Sequence, residues 1–164
     1  MKNIFLVLLL LAHMLSNTYG QDKTATFIIA INDVVVDEGV SSVRLEFIGP
    51  NGHVEVAKAD YTPGKLQCHL GTVKEYAESD GIMLSFTYSR YCAVDERIRN
   101  YRIPISRRWL DDPYIILKFY DMDLPKNQAF FAPKPGVKYI YELNTANGRM
   151  GMIRKAGAKE PGCR

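Results

Sequence analysis

KLQCHLGTVKEYAESDGIMLSFTYSRYC, residues Lys65 to Cys92, carries two of the chain's three cysteines near its ends and a turn signal between them. Ser79-Asp80-Gly81 suits a three-residue hairpin loop, with Gly81 supplying the positive φ such a loop needs at its last position. Folding the chain back about Asp80 pairs Tyr76 with Leu84 and brings Cys68 opposite Cys92. Because side chains alternate along a strand, one face then carries Leu66, Cys68 and Leu70 against Leu84, Phe86 and Cys92. Thr72-Val73-Lys74-Glu75 offers a competing pattern: a capping box that would start a short helix over Val73 to Ser79 and interrupt the strand.

The flanking segments read in the same β-rich way. Thr24 to Ile31 is apolar and β-branched, a buried first strand that Val34-Val35-Val36 continues after a break at Asn32-Asp33. SSVRLEFI (41–48), Gly49-Pro50-Asn51-Gly52 and HVEVAKA (53–59) form a hairpin. A four-residue loop puts Phe47 opposite Val54 and Leu45 opposite Val56, with Val43, Leu45 and Phe47 inward and Arg44 and Glu46 outward. Asp60 to Gly64 is a turn. Arg99 to Ile105 is a strand that Pro104 confines to an edge or an end. YIILKFYDM (114–122) is apolar on both faces and therefore central. The proline-rich stretch Leu124 to Gly136 is a loop anchored by Phe130 and Phe131. A last hairpin turns at Asn147-Gly148 and returns through Met150 and Met152.

Eight or nine short antiparallel strands with regular turns predict a mostly β chain folded as a two-sheet β-sandwich; immunoglobulin-, transthyretin- and C2-like topologies all satisfy the pattern. Trp109 lies outside the Cys68–Cys92 interval, so the immunoglobulin Cys–Trp–Cys order is not met.

The N-terminus reads as a secretory leader. Lys2 is followed by an apolar run from Ile4 to Ala12, and Thr18-Tyr19-Gly20 places small residues before a cleavage point at Gln21. Residues 1–20 are thus expected to be a signal peptide, 21–155 a single domain, and 156–164 a flexible C-terminal tail. The product is secreted, or periplasmic in a bacterium, with no membrane span once the leader is gone. Net charge is only +3 over 164 residues, which argues neither for nucleic acid nor for a membrane surface as partner. Secretion permits disulfides, and the hairpin register predicts Cys68–Cys92, with Cys92–Cys163 the alternative. Cys163 is then the spare thiol, able to form a covalent dimer.

Motifs for catalysis are absent. Outside the leader the histidines are His53 and His69, and no serine-hydrolase elbow, zinc-protease helix or phosphate loop occurs. The chain is expected to be non-catalytic, with no cofactor and no metal. Asp121 and Asp123 just past the strong strand suggest calcium only weakly; turn-forming aspartates account for them. The chemical signal lies in Ala93 to Asp112, the least regular part of the chain, where Arg97, Arg99, Arg102, Arg107 and Arg108 crowd together with Tyr101 and Trp109. Arginine, tyrosine and tryptophan are enriched at binding hot spots. The segment is predicted to bind an extracellular protein or an acidic glycan. Ten tyrosines and seven phenylalanines raise an alternative: an extracellular carrier holding an apolar small molecule or lipid between the sheets.

Overall fold

A computed structural model describes residues 22–49, 51–71, 73, 81–90, 97–132 and 135–150. The leader, Cys92, the tail with Cys163, and the stretch where helix and strand competed (residues 74–80) lie outside them.

Ten strands form one mixed sheet: β1 (Lys23–Ile31), β2 (Val34–Val35), β3 (Val40–Ile48), β4 (Val54–Thr62), β5 (Lys65–Cys68), β6 (Gly81–Arg90), β7 (Arg97–Ser106), β8 (Tyr114–Asp121), β9 (Tyr139–Thr145) and β10 (Gly148–Met150). A 3-10 turn, Arg107–Asp111, follows β7, and a short helix α1, Pro125–Phe130, follows β8. The strand order is β10-β9-β8-β1-β5-β4-β3-β6-β7, with β2 paired to β1 alone. The mostly β expectation holds. The two antiparallel sheets do not: β1 and β8 pair in parallel from Thr26↔Tyr114 to Ile31↔Phe119, and the short β5 joins both halves into one curled sheet.

The hairpin expected across Lys65–Cys92 does not form. The turn expected over Asp60–Gly64 closes at Pro63-Gly64, with Gly64 at φ +86°, and pairs β5 with β4 as Tyr61↔Leu66 and Thr62↔Lys65. The other edge of β5 pairs with β1, so β4 and β3 separate it from β6. Gly81 opens β6 without a positive φ. Leu66, Cys68, Leu70, Leu84 and Phe86 nevertheless share one core, because the curl brings the two halves of the sheet face to face.

The β3–β4 hairpin forms one residue out of the expected register. Gly49 N–H donates to His53 O at 2.8 Å, closing a five-residue loop with Gly52 at φ +75°, so that Phe47 faces Glu55 and Leu45 faces Ala57. A slip of one residue reverses every side chain. The reason lies further along β4. The register that buries Val54 and Val56 also buries Lys58 and Asp60, and desolvating two charges costs more than two valines return. Ala57 and Ala59 go inward instead, leaving Val54 and Val56 about half exposed.

Other expectations fit. Val43, Leu45 and Phe47 are buried while Arg44 is exposed; β8 is central; and β7, with Pro104, is the last strand of the sheet. Asn32 and Asp33 do not interrupt a single strand. At φ 53° and 72° they make a two-residue hairpin turn that folds β2 back on β1. Phe131 is buried against Tyr120, Met122 and Ile140, as an anchoring aromatic should be.

Tyrosine hydroxyls satisfy the backbone where strands diverge. Tyr61 Oη accepts from Ile29 N–H and donates to Val36 O, both at 3.2 Å, bridging β1 and the chain leaving β2. Tyr139 does the same at the outer edge of β7, accepting from Arg102 N–H and donating to Arg102 O, both at 2.8 Å.

Candidate functional site

Strand alternation disperses the predicted arginine segment. From Ile98 onward, even-numbered residues of β7 point outward and odd-numbered ones inward, so Arg99 and Tyr101 face the interior side and Arg102 the outer surface. Arg107 and Arg108 sit beyond the far end of β7, roughly 30 Å from Arg97 at the strand rise per residue. Tyr101 is 1% exposed and contributes to the core. Its ring stacks on Phe86 at 5.1 Å and meets Phe119 at 4.4 Å and Tyr139 at 5.0 Å. Trp109 packs partly buried against the same core. Arg108 Nε donates to its neighbour Ser106 Oγ at 3.4 Å.

Arg99 is anchored at the end of the sheet. Its Nε lies 3.6 Å from Asp121 Oδ2, and its Nη2 donates to Asp123 Oδ2. Asp121 is buried and takes more partners: Tyr101 Oη donates to its Oδ1 and Asn32 Nδ2 to its Oδ2, each at 2.9 Å. Asn32 Oδ1 accepts from Asp121 N–H and from Asn127 Nδ2, so the β1–β2 turn, β7, β8 and α1 meet in one network. Burial, and then the neighbouring Asp121 charge, push the Tyr101 hydroxyl well above the ordinary tyrosine range. Aspartates read as turn formers are thus the counter-ions of a predicted binding residue.

This network lies at one end of a cleft of about 790 Å³ lined by Val34, Val35, Asp37, Tyr88, Arg90 and Lys126, among others. From the sequence Val34-Val35 read as a continuation of β1 and not as a strand folded back on it, and Arg90 did not stand out. The cleft exists only because the two-residue turn aligns β2 beside the end of β6.

The outer face of the β4-β3-β6-β7 half assembles a second constellation. In register, Lys58 pairs with Arg44, Arg44 with Ser85, and Ser85 with Arg102. These four residues form a single row across four strands on one exposed face. At strand spacing, Lys58 and Arg44 are about 5 Å apart and Arg44 and Arg102 about 10 Å. Arg102 reaches Glu46 at 2.6 Å, whereas Arg44 and Lys58 have no ion pair among the described residues. Only Arg102 of this row belongs to the predicted segment. Arg44 and Lys58 alternate with apolar residues in their own strands, and only pairing shows that they adjoin it.

Of the cysteines, Cys68 is described. It is a free thiol, 1% exposed, whose pKa burial pushes up to about 12. The register that set Cys68 opposite Cys92 is not the one formed, and Cys92 and Cys163 lie outside the described residues. His69 is exposed between two carboxylates, with Nε2 2.9 Å from Asp60 and Nδ1 3.3 Å from Asp22. Among the described residues no three His, Cys, Asp or Glu side chains gather to hold a metal ion, and no helix is long and apolar enough to cross a membrane.

Comparison with protein-family models, curated proteins and solved structures finds no match for this chain.

Proposed function

We propose that this protein is a secreted, non-catalytic interaction module that binds an acidic glycan through the row Lys58, Arg44 and Arg102. The observation that carries this is the in-register alignment of three cations across adjacent strands on an exposed face. A linear polyanion presents charges at repeating intervals, and a rigid sheet presents cations at intervals fixed by strand spacing, so complementarity costs little ordering entropy. Ser85 sits within the row, its Oγ buried beneath the neighbouring side chains and without a hydrogen-bond partner among the described residues. Arg102 is the member of the predicted arginine segment that contributes. Arg99 faces two carboxylates, Asp121 and Asp123, from the interior side, whereas Arg102 meets one, Glu46, on the outer face; Arg107 and Arg108 stand apart at the end of β7.

A carrier of an apolar molecule would need space between the facing halves of the sheet. There the aromatic side chains contact one another instead: Phe86, Tyr101, Phe119 and Tyr139 form a continuous set of ring contacts at 4.4–5.7 Å.

The test is retention on immobilised heparin across a salt gradient. The parent should elute later than Arg44→Glu/Lys58→Glu, and the difference should shrink as salt rises through the screening range. Arg107→Glu/Arg108→Glu serves as a charge-matched control and should behave like the parent. Equal elution of all three proteins would remove the row as the site.

A further inference from the structure

The cleft holds a feature independent of the basic row: a free strand edge. Among the described residues, β2 is hydrogen-bonded on one side only. Ile31 pairs with Val34 across the turn, and Val36 N–H returns to Ile29 O at 2.9 Å. Backbone groups alternate in direction along a strand, so the N–H and C=O of Val35 and Asp37 point away from β1. Neither residue has a backbone partner among the described residues. Val34 and Val35 are 62% and 57% exposed. An unpaired apolar edge is a template for another strand.

The cleft gives that edge a second wall, formed by Tyr88, Ser89 and Arg90 at the end of β6. Ser89 N–H donates to Gly39 O at 2.9 Å, tying the walls together at their base. Gly39 is required there, because at φ +80° a Cβ would sit 2.2 Å from Ser89 O. At about 790 Å³ the space lies within the usual range of ligand pockets, roughly 300–1,000 Å³.

Charge selects the occupant. A second copy pairing antiparallel about Val35 would set Asp37 against the copy's Asp33, and like charges directly opposite destabilise a strand pair. Of the cleft's cations, Arg99 is held by Asp121 and Asp123, and Lys126 donates to Asn32 O at 3.3 Å. Arg90 is exposed and has no ion pair among the described residues, which leaves it for a ligand carboxylate. Asp37 and Glu38 on the lip disfavour a uniformly acidic chain.

We infer that the cleft binds an extended peptide segment of another protein, added as a strand to the free edge of β2, with an acidic side chain directed at Arg90 and apolar or basic residues beside it. Main-chain bonds would supply affinity, and the alternate side chains specificity.

The experiment pans a display library of random heptapeptides against the intact protein, then measures synthetic fluorescein-labelled versions of the enriched sequences by anisotropy. Enriched sequences should carry an acidic residue among alternating apolar ones. N-methylation of alternate backbone amides should weaken binding at least tenfold in one phase of the alternation and not in the other. Arg90→Glu should weaken binding at least tenfold and turn selection toward lysine-containing peptides. Val35→Pro, which removes the edge donor, should abolish binding; if that variant does not fold, the N-methylated peptides on the parent test the same bond. The inference is overturned if no peptide is enriched, if N-methylation has no phase-dependent effect, or if the peptides bind Arg90→Glu as they bind the parent.

Discussion

The hydroxyl of Tyr139 lies 2.8 Å from both the backbone nitrogen and the backbone oxygen of Arg102. One side chain from β9 thereby occupies a rung on the open edge of β7, two strands that end up adjacent only because the sheet curls. The next outward-facing rung is Pro104, which has no N–H to offer. The edge is protected at consecutive rungs against pairing with another molecule.

Tyr139→Phe keeps the ring and removes only the hydroxyl. Water can replace part of what is lost at this exposed edge, so the expected cost is about 1 kcal/mol. Urea denaturation should show a lower midpoint with an unchanged slope, and size-exclusion chromatography at high concentration should show more self-association than the parent. A midpoint equal to the parent's would count against the hydroxyl as a closing element.

Asp121 and Arg99 form the charged centre of the network at the end of the sheet. Replacing Asp121 with Ala leaves Arg99 facing Asp123 alone and strips Tyr101 of its acceptor. Removing a buried hydrogen-bonded partner of a charge typically costs several kcal/mol; because Arg99 is a quarter exposed, the expected loss is about 2–3 kcal/mol. A double-mutant cycle with Arg99→Ala should return a coupling above about 0.5 kcal/mol. Additive losses would mean that the two side chains act separately.

Two backbone positions should respond in opposite ways to small substitutions. Gly39→Ala places a Cβ against Ser89 O at a positive φ, and should destabilise by more than about 2 kcal/mol. Ser42 sits at φ 53° where the β3–β6 register shifts between Ser41 and Arg44, a bulge position that favours glycine. Ser42→Gly should be neutral or stabilising by up to about 1 kcal/mol. Thermal melts of both variants beside the parent decide the matter, and a loss at Ser42→Gly would contradict it.

Strand content was legible from alternation, and so were the positions of β8 and β7, because a doubly apolar strand must be central and Pro104 cannot sit mid-sheet. Pairing was not legible. The turn before β5 was legible in Asp60–Gly64, but nothing local says that the other edge of β5 pairs with β1 rather than with β6. The inward face of β4 was misread because the valines were weighed without Lys58 and Asp60 further along. The site suffered the same way: arginines close in sequence point to opposite faces of one strand, while Lys58, Arg44 and Arg102 become neighbours only through non-local pairing.

His69 should make stability pH-dependent. Its ring is hydrogen-bonded to Asp60 and then to Asp22, and these bonds raise its pKa above the ordinary 6.5. Asp22 also accepts from Leu70 N–H at 3.1 Å through its other oxygen, so the protonated ring links the start of β1 to β4 and the end of β5. Lys58, whose carbonyl accepts from His69 N–H, and Lys23, paired with Asp111, are the cations of the adjoining strand segments. A group whose folded pKa is raised contributes stability that is fully present below its unfolded value, near 6.5, and is lost as pH rises through the folded value. Parent and His69→Gln should therefore be melted at pH 5.5 and pH 8.5. The parent's advantage should be present at pH 5.5 and smaller at pH 8.5, and it should weaken with added salt because the cluster is exposed. If the advantage is the same at both pH values, His69 contributes through neutral hydrogen bonds and its charge has no part in joining β1 to β4.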